Sequence, residues 1–323
     1  MDNKIDKKLA IKKMIGAVIF ILLLALVLLL ISYFFAPQKD KSITMQDVKP
    51  NGILAEKDQT IDVILFGDSE AYTAFSPIQM WRDNGFPSFV CASSSQYISL
   101  TESFVHQSLE HQSPKVIILE TNAFYRKMRS DNAFITRIEN MFSVLQYHNR
   151  WKSLCPLRLD KNVGYNWKDD MKGYKYAKLT TRGNNKEYMI KTDEVEPIPE
   201  TNARYVEQIV DYCRQKGVKV LFVSTPSSKN WNYRRHNAVT ALAEKTGAEY
   251  LDLNLEKDIQ IDWHTDTADG GDHLNFRGTK KVCAFLGDYL AKNYHLEDKR
   301  NDPAYQDWND LIEKYEYLTT EDK

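Results

Sequence analysis

Residues 61–75 read IDVILFGDSEAYTAF, and the change of character halfway along this stretch decides the fold. Ile61, Val63, Ile64, Leu65 and Phe66 form a short, nearly continuous apolar run, the pattern of a strand covered on both faces. Gly67 lets the backbone turn without a side-chain clash. Asp68, Ser69 and Glu70 follow, and a helical pattern starts near Ala71. The Ser69 hydroxyl is therefore expected at the carboxyl end of a strand and beside a helix start, the edge at which open α/β sheets bind ligands. Asp and Ser are also good helix caps, so this stretch alone does not separate a nucleophile from a cap.

Working outward, the apolar pattern recurs at Pro87–Cys91, at Pro114–Leu119 (PKVIIL), at Val218–Val223 (VKVLFV) and at Glu249–Leu253 (EYLDL). Helical stretches at 76–85, 100–111, 201–216, 233–246 and 278–293 alternate with them, several closed by glycine. Five strands separated by helices predict an α/β domain, a three-layer α/β/α sandwich on a mostly parallel five-stranded sheet. The second strand empties into Ala92-Ser93-Ser94-Ser95, small residues that let a backbone approach a ligand. From Phe124 to Pro199 the alternation is lost. Aromatic and basic residues crowd that interval, among them Tyr125, Arg126, Tyr147, His148, Arg150, Trp151, Trp167, Tyr174 and Tyr176. An insertion or lid at about 124–200 over the carboxyl end of the sheet is the expectation, with Arg150 and Trp151 as substrate-contacting candidates. Ordinary aromatic packing accounts for the same composition.

The chain has 323 residues, with 43 Lys and Arg against 44 Asp and Glu, so no basic excess argues for a nucleic-acid partner. The extreme feature is local. From Met14 to Ile31 there is no charged or strongly polar residue, and Phe34 and Phe35 extend the run, long enough to cross a bilayer core that needs about 20 residues. Lys4, Lys7, Lys8, Lys12 and Lys13 precede it, and only Lys39 and Lys41 follow closely, which predicts a cytoplasmic N-terminus. The run ends in Tyr33-Phe34-Phe35-Ala36-Pro37, without a small-x-small cleavage site, and reads as an uncleaved anchor. The expected organisation is a basic N-terminus at 1–13, a single membrane span at 14–35, a linker at 36–59, the α/β domain at 60–295 and a tail helix within 296–323. Everything after Pro37 then lies outside the cytoplasm, at a cell membrane. Cys91, Cys155, Cys213 and Cys283 lack metal-ligand spacing and read as buried thiols before a disulfide.

Between the fifth strand and the 278–293 helix lies DWHTDTADGGDHLNFRG, residues 262–278. A solvated acidic loop is one reading; calcium or zinc ligation is another, but no EF-hand or zinc spacing fits. A serine after the first strand and an acid-plus-histidine loop after the last would meet across the carboxyl edge of such a sheet. That is a Ser-His-Asp arrangement, recognised by roles and not by chain order.

Here the sequence resembles the SGNH/GDSL hydrolase superfamily over about Ile61 to Asn293. Gly67-Asp68-Ser69 is similar to its nucleophile block, Asn122 falls where its oxyanion asparagine sits, and His273 is similar to the base of its terminal Asp-x-x-His block. The Ser-Glu pair and the His-Leu-Asn-x-x-Gly ending look most like the membrane-anchored extracytoplasmic branch, which includes the teichoic acid D-alanyl transfer protein and polysaccharide O-acetylation proteins. The resemblance implies a flavodoxin-like sheet order, an acyl-serine on Ser69 and His273 as base. It further implies an oxyanion hole from Ser69, Asn122 and Ser93, with Glu70 and Asn275 beside the substrate and neither cofactor nor metal. It also implies, as partners, a cell-surface polysaccharide or teichoic-acid-like acceptor and a membrane-bound O-acyltransferase. Three departures stand out. Ala92 and Ser93 replace the oxyanion glycine, and Glu120 and Ala123 flank Asn122 where the family has glycine and aspartate. The acid lies four positions before His273, at Asp269, with Asp272 as the alternate. Gly270 and Gly271 offer the slack for one extra residue, which favours Asp269. No G-x-S-x-G elbow occurs. A non-catalytic glycan-binding or assembly protein on the same fold is the reading from another class.

Overall fold

The computed structural model describes residues 2–35, 48–127, 138, 141, 142, 144, 145 and 169–320. They fall into two units, residues 1–46 with 130–165 and residues 47–129 with 166–323. In the first unit, helix α1 spans Asp2–Phe35. Its segment Lys8–Tyr33 is long and apolar enough to cross a membrane. Most large apolar side chains from Leu9 to Leu30 are exposed among the described residues, Leu28 being half-buried. Near its end, buried Ser32 accepts a hydrogen bond on Oγ from the Val144 N–H at 3.1 Å.

The second unit is built on β1 Val63–Gly67, β2 Ser88–Ala92, β3 Val116–Glu120, β4 Lys219–Ser224 and β5 Glu249–Asp252. All pairs are parallel and the order is β2-β1-β3-β4-β5. Val63 stands level with Ser88 on one side and Val116 on the other. Every residue of β1, β2 and β3 is buried, which is why these strands read as unbroken apolar runs.

The helices of this unit are α2 Val48–Asn51, α3 Ser69–Ala74, α4 Pro77–Asn84, α5 Ile98–His111, α6 Glu200–Gln215, α7 Tyr233–Thr246, α8 Phe276–Asn293 and α9 Gln306–Thr319. On one face α3, α4, α8 and α9 pack together. There Val282, Cys283, Leu286 and Leu290 of α8 share a core with Val63, Leu65, Val116 and Ile118. On the other, α5 packs on β1, α6 on β4 and α7 on β5. Local chemistry sets the ends: Ser76 caps α4 by accepting from the Gln79 N–H, with Pro77 in the first turn.

The order reverses at β1, because the chain leaves β1 for β2 on one side and returns to β3 on the other. The carboxyl ends of β1 and β3 flank this switch point, where such sheets bind ligands. Gly67 is required there by contact. A Cβ on it would lie 2.6 Å from Glu120 Cβ and 2.7 Å from Ala71 Cβ.

Part of the interval expected as a lid, residues 174–199, is described, and it carries no helix or strand. It is a strap anchored in turn to several elements. Lys175 N–H donates to Tyr72 O, Ala177 O accepts from Phe276 N–H, and Gly183 N–H donates to Trp263 O. Tyr188 Oη then donates to Asn254 Oδ1, and Tyr125 Oη donates to Glu196 O. Before the strap, Lys172 O accepts the Val90 N–H of edge strand β2 at 2.9 Å, while the Lys172 ammonium pairs with Glu56 at 2.7 Å, both side chains buried. Cys91, Cys213 and Cys283 are buried free thiols; Cys155 lies outside the described residues.

Candidate active site

Ser69 opens α3, directly after the cap residue. The cap is Asp68, whose Oδ1 accepts the Glu70 N–H at 2.9 Å. The other Asp68 oxygen accepts Arg126 Nε at 2.6 Å and Asn122 Nδ2 at 3.1 Å. So the fully buried Asp68 carboxylate both ends the β1 turn and ties it to the exit of β3. The Ser69 side chain is thereby released from capping. It is 6 % exposed, and no hydrogen bond to its Oγ occurs among the described residues.

His273 lies on the loop between β5 and α8. Its Nδ1 stands 2.5 Å from Asp269 Oδ2, and its own N–H donates to Asp269 Oδ1 at 2.8 Å. Asp272 Oδ1 is farther from the ring, at 3.7 Å. Of the two acids left open by spacing, Asp269 is thus the one on the imidazole. Gly270 and Gly271, at φ of 82° and 104°, supply the left-handed turn that brings it round. Burial by itself would raise the Asp269 carboxyl, but the His273 N–H and imidazole outweigh it and hold the carboxyl below its ordinary value. His273 Nε2 is buried and has no hydrogen-bond partner among the described residues. An imidazole that gives Nδ1–H to a carboxylate carries its lone pair on Nε2, the state a general base requires.

The two loops are joined on one rim. Asn230 Nδ2 donates to Glu70 Oε1 at 2.7 Å and to Asp272 Oδ1 at 2.5 Å, linking the neighbour of Ser69 to the neighbour of His273. The His273 loop also rests on the segment after β4, where Ser227 Oγ donates to Asp272 O at 3.1 Å and Lys229 Nζ donates to Asp269 O at 2.7 Å.

Behind Ser69 lies a buried acid pair. Glu70 Oε2 and Glu120 Oε1 both face Thr225 Oγ1, at 3.1 and 3.2 Å. Burial, then the charges of Glu120 and Asp68, push the Glu70 carboxyl well above its ordinary value. Burial and Asp68 push Glu120 up to about 8. Glu70 was expected at the substrate; instead it is 2 % exposed and both its oxygens are engaged by Thr225 and Asn230. Asn275 likewise faces inward. Its Oδ1 caps α8 by accepting Arg277 N–H and Gly278 N–H, while its Nδ2 donates to Thr180 Oγ1 and Thr265 O.

Of the oxyanion candidates, Asn122 is 4 % exposed and spends one Nδ2 hydrogen on Asp68. Ser93 sits just past β2 with its Oγ donating to Gln96 Oε1 at 2.9 Å. Arg150 and Trp151 lie outside the described residues. Asn230, Thr225 and Arg235 are the site-side residues that sequence reasoning passed over. The polar run Ser224 to Asn230 after the fourth strand, parallel to the one after the second, is the signal that marks Thr225 and Asn230, whereas Arg235 lies beyond it in α7.

Ligand atoms of Asp269, Asp272 and His273 lie within 4.8 Å of one another. Their atoms are engaged in pairs with each other and with Asn230, as an acid–base set and not an open cage. A groove of about 1020 Å³ along α8, lined by Ile261, Lys281, Phe285 and Tyr289 among others, touches neither Ser69 nor His273.

No family model matches the chain, and no curated protein matches it. Among solved structures it is similar to a protein placed in the G-D-S-L lipolytic family, from Desulfitobacterium hafniense DCB-2 (10 % identity, 71 % of this chain and 98 % of that one, TM-score 0.41). It is also similar to a GDSL-like lipase from Bacteroides thetaiotaomicron VPI-5482 (10 % identity, 71 % and 87 %, TM-score 0.35). A third is AlinE4, an SGNH-hydrolase family esterase (14 % identity, 73 % and 98 %, TM-score 0.29). The solved structures that this chain is similar to thus include GDSL and SGNH hydrolases.

Proposed function

We propose that the chain is a serine esterase or O-acyltransferase of the SGNH type, anchored in a cell membrane by α1 and acting outside the cytoplasm on an envelope glycopolymer. The observation that carries this reading is His273, with Nδ1 taken by Asp269 and Nε2 buried and unpaired. Ser69 Oγ attacks the ester carbonyl carbon while its proton passes to Nε2. The leaving alcohol then takes that proton as the carbon–oxygen bond breaks, and the acyl group stays on Ser69. Asp269 holds the tautomer and offsets the imidazolium charge. The second Nδ2 hydrogen of Asn122 and the Ser69 N–H are the oxyanion donors, each worth about 3 kcal/mol of barrier. Attack by water releases the acid; attack by a sugar hydroxyl makes a new ester.

The lysines at the start of α1, ahead of its apolar run, support an outside location for the site. A site so placed needs its acyl group delivered across the bilayer, and a membrane-bound O-acyltransferase is the partner that fits. The test is a fluorophosphonate probe on the full chain in detergent. Label on the Ser69 peptide, absent in Ser69→Ala, is the expected result, and equal labelling of the variant refutes it.

One observation favours a second reading, a non-catalytic glycan-binding or assembly protein. Ser69 Oγ makes no hydrogen bond to His273 Nε2. Glycan retention without labelling is its outcome.

A further inference from the structure

The contested atom of the site is Asp272 Oδ1. It lies 3.7 Å from His273 Nδ1 and 2.5 Å from Asn230 Nδ2, so the very oxygen that faces the imidazole is the one the amide holds. A displacement of roughly 1 Å would bring it within hydrogen-bonding range of the ring. The amide's orientation is fixed by chemistry. Turned over, its carbonyl oxygen would face the Asp272 carboxylate, acceptor against acceptor. Its backbone is fixed too. Asn230 O accepts Arg235 Nη1 at 2.6 Å, and Arg235 is braced on Glu196 at 2.8 Å. At the far end Glu70 is buried, and the upward push on its carboxyl favours the neutral acid, which does not repel Asp272.

We propose that Asn230 is a positioning residue that selects which aspartate serves His273. It ties Asp272 to Glu70, reserves Nδ1 for Asp269 and so aims Nε2; as a statement about catalysis this rests on the acyl-serine reading above. Asp269 grips both the ring and the backbone N–H of His273, fixing the imidazole against the chain. Asp272, adjacent in sequence, would draw the ring toward its own side and turn Nε2 away from that line.

The first arm of the test needs no turnover. In the full chain in detergent micelles with ¹⁵N-labelled histidine, the low-field His273 Nδ1–H resonance, assigned by its loss in His273→Asn, disappears in Asp269→Asn and survives in Asp272→Asn. In the Asn230→Ala/Asp269→Asn double variant it returns, because the released Asp272 takes over Nδ1. Asn230→Asp, isosteric and repelling Asp272, gives the same return and serves if the alanine variant does not fold. A folded double variant without the resonance overturns the proposal.

The second arm is kinetic. Asn230→Ala slows acylation of Ser69 by p-nitrophenyl acetate about 100-fold, in kcat and not KM. Adding Asp272→Asn restores most of it, whereas a double variant no faster than Asn230→Ala overturns the proposal. If the wild-type chain is never acylated, the proposed function fails and the resonance arm alone decides this inference.

Discussion

Asp269 holds His273 at two points, Oδ2 on Nδ1 at 2.5 Å and Oδ1 on the backbone N–H at 2.8 Å. A carboxylate that fixes ring and chain together sets the tautomer as well as the direction of Nε2. Asp269→Asn is therefore expected to lower kcat on the order of 10⁴-fold, the scale seen when such an acid is made an amide. Asp272→Asn loses less than about tenfold, since its contact with the ring is outside hydrogen-bonding range. Steady-state hydrolysis of p-nitrophenyl acetate by the two variants checks the contrast.

Asn122 is expected to act with one hydrogen on Asp68 and the other on the oxyanion. Asn122→Ala should lower kcat by about 10²–10³-fold with little change in KM, the cost of one oxyanion donor. Equal losses in kcat and in melting temperature would assign the residue to the fold alone.

The Glu120 carboxyl, pushed up to about 8 by burial and Asp68, makes stability depend on pH. From its ordinary value of 4.5 up to about 8 the unfolded chain loses this proton and the folded chain keeps it, so stability falls as pH rises through that window. Glu120→Gln, which carries no charge to bury, should flatten the decline. Thermal melts of both proteins between pH 5 and 8 read it out, and parallel slopes would contradict it.

Gly67→Ala places a Cβ 2.6 Å from Glu120 Cβ and 2.7 Å from Ala71 Cβ, both on backbone-fixed positions that have no flexible end to yield. The strand must move, at a cost of about 1–3 kcal/mol or more for overpacking. Urea denaturation should show a lower midpoint, with loss of probe labelling even where the variant folds.

Breaking the buried Lys172–Glu56 pair by Glu56→Gln leaves an ammonium stranded among buried groups, with Trp308 as its ring neighbour at 4.6 Å. The expected loss is about 3–5 kcal/mol. Replacing both partners by apolar residues should recover a large part, as a denaturation series on the single and double variants would measure.

The sheet was legible because parallel strands buried on both faces must be written as apolar runs: Pro114–Leu119 in sequence is β3 at Val116–Glu120, and Val218–Val223 is β4 at Lys219–Ser224. Helix α7, between its cap Asn232 and the glycine stop at Gly247, was legible to the residue. The helix expected over 278–293 begins two residues earlier, at Phe276, because Asn275 caps it by accepting the Arg277 and Gly278 N–H groups. The burial of Glu70 had no local signal. A carboxylate after a serine reads as exposed, and only the distant Thr225 and Asn230 make its burial tolerable. Such long-range polar pairs leave no period in the chain. The strap at 174–199 is held by backbone carbonyls and single side chains, so composition marked an interruption without a shape.

The cover laid over β2 by Lys172 and Gly173 also bears on solubility. Gly173 comes so close that a Cβ there would lie 2.0 Å from Val90 O. At Val90 the ladder on that side therefore meets its own chain, which interrupts it as a template for a neighbouring copy. Where copies of the chain meet often, a blunted flank of this kind keeps crowding from becoming polymerisation.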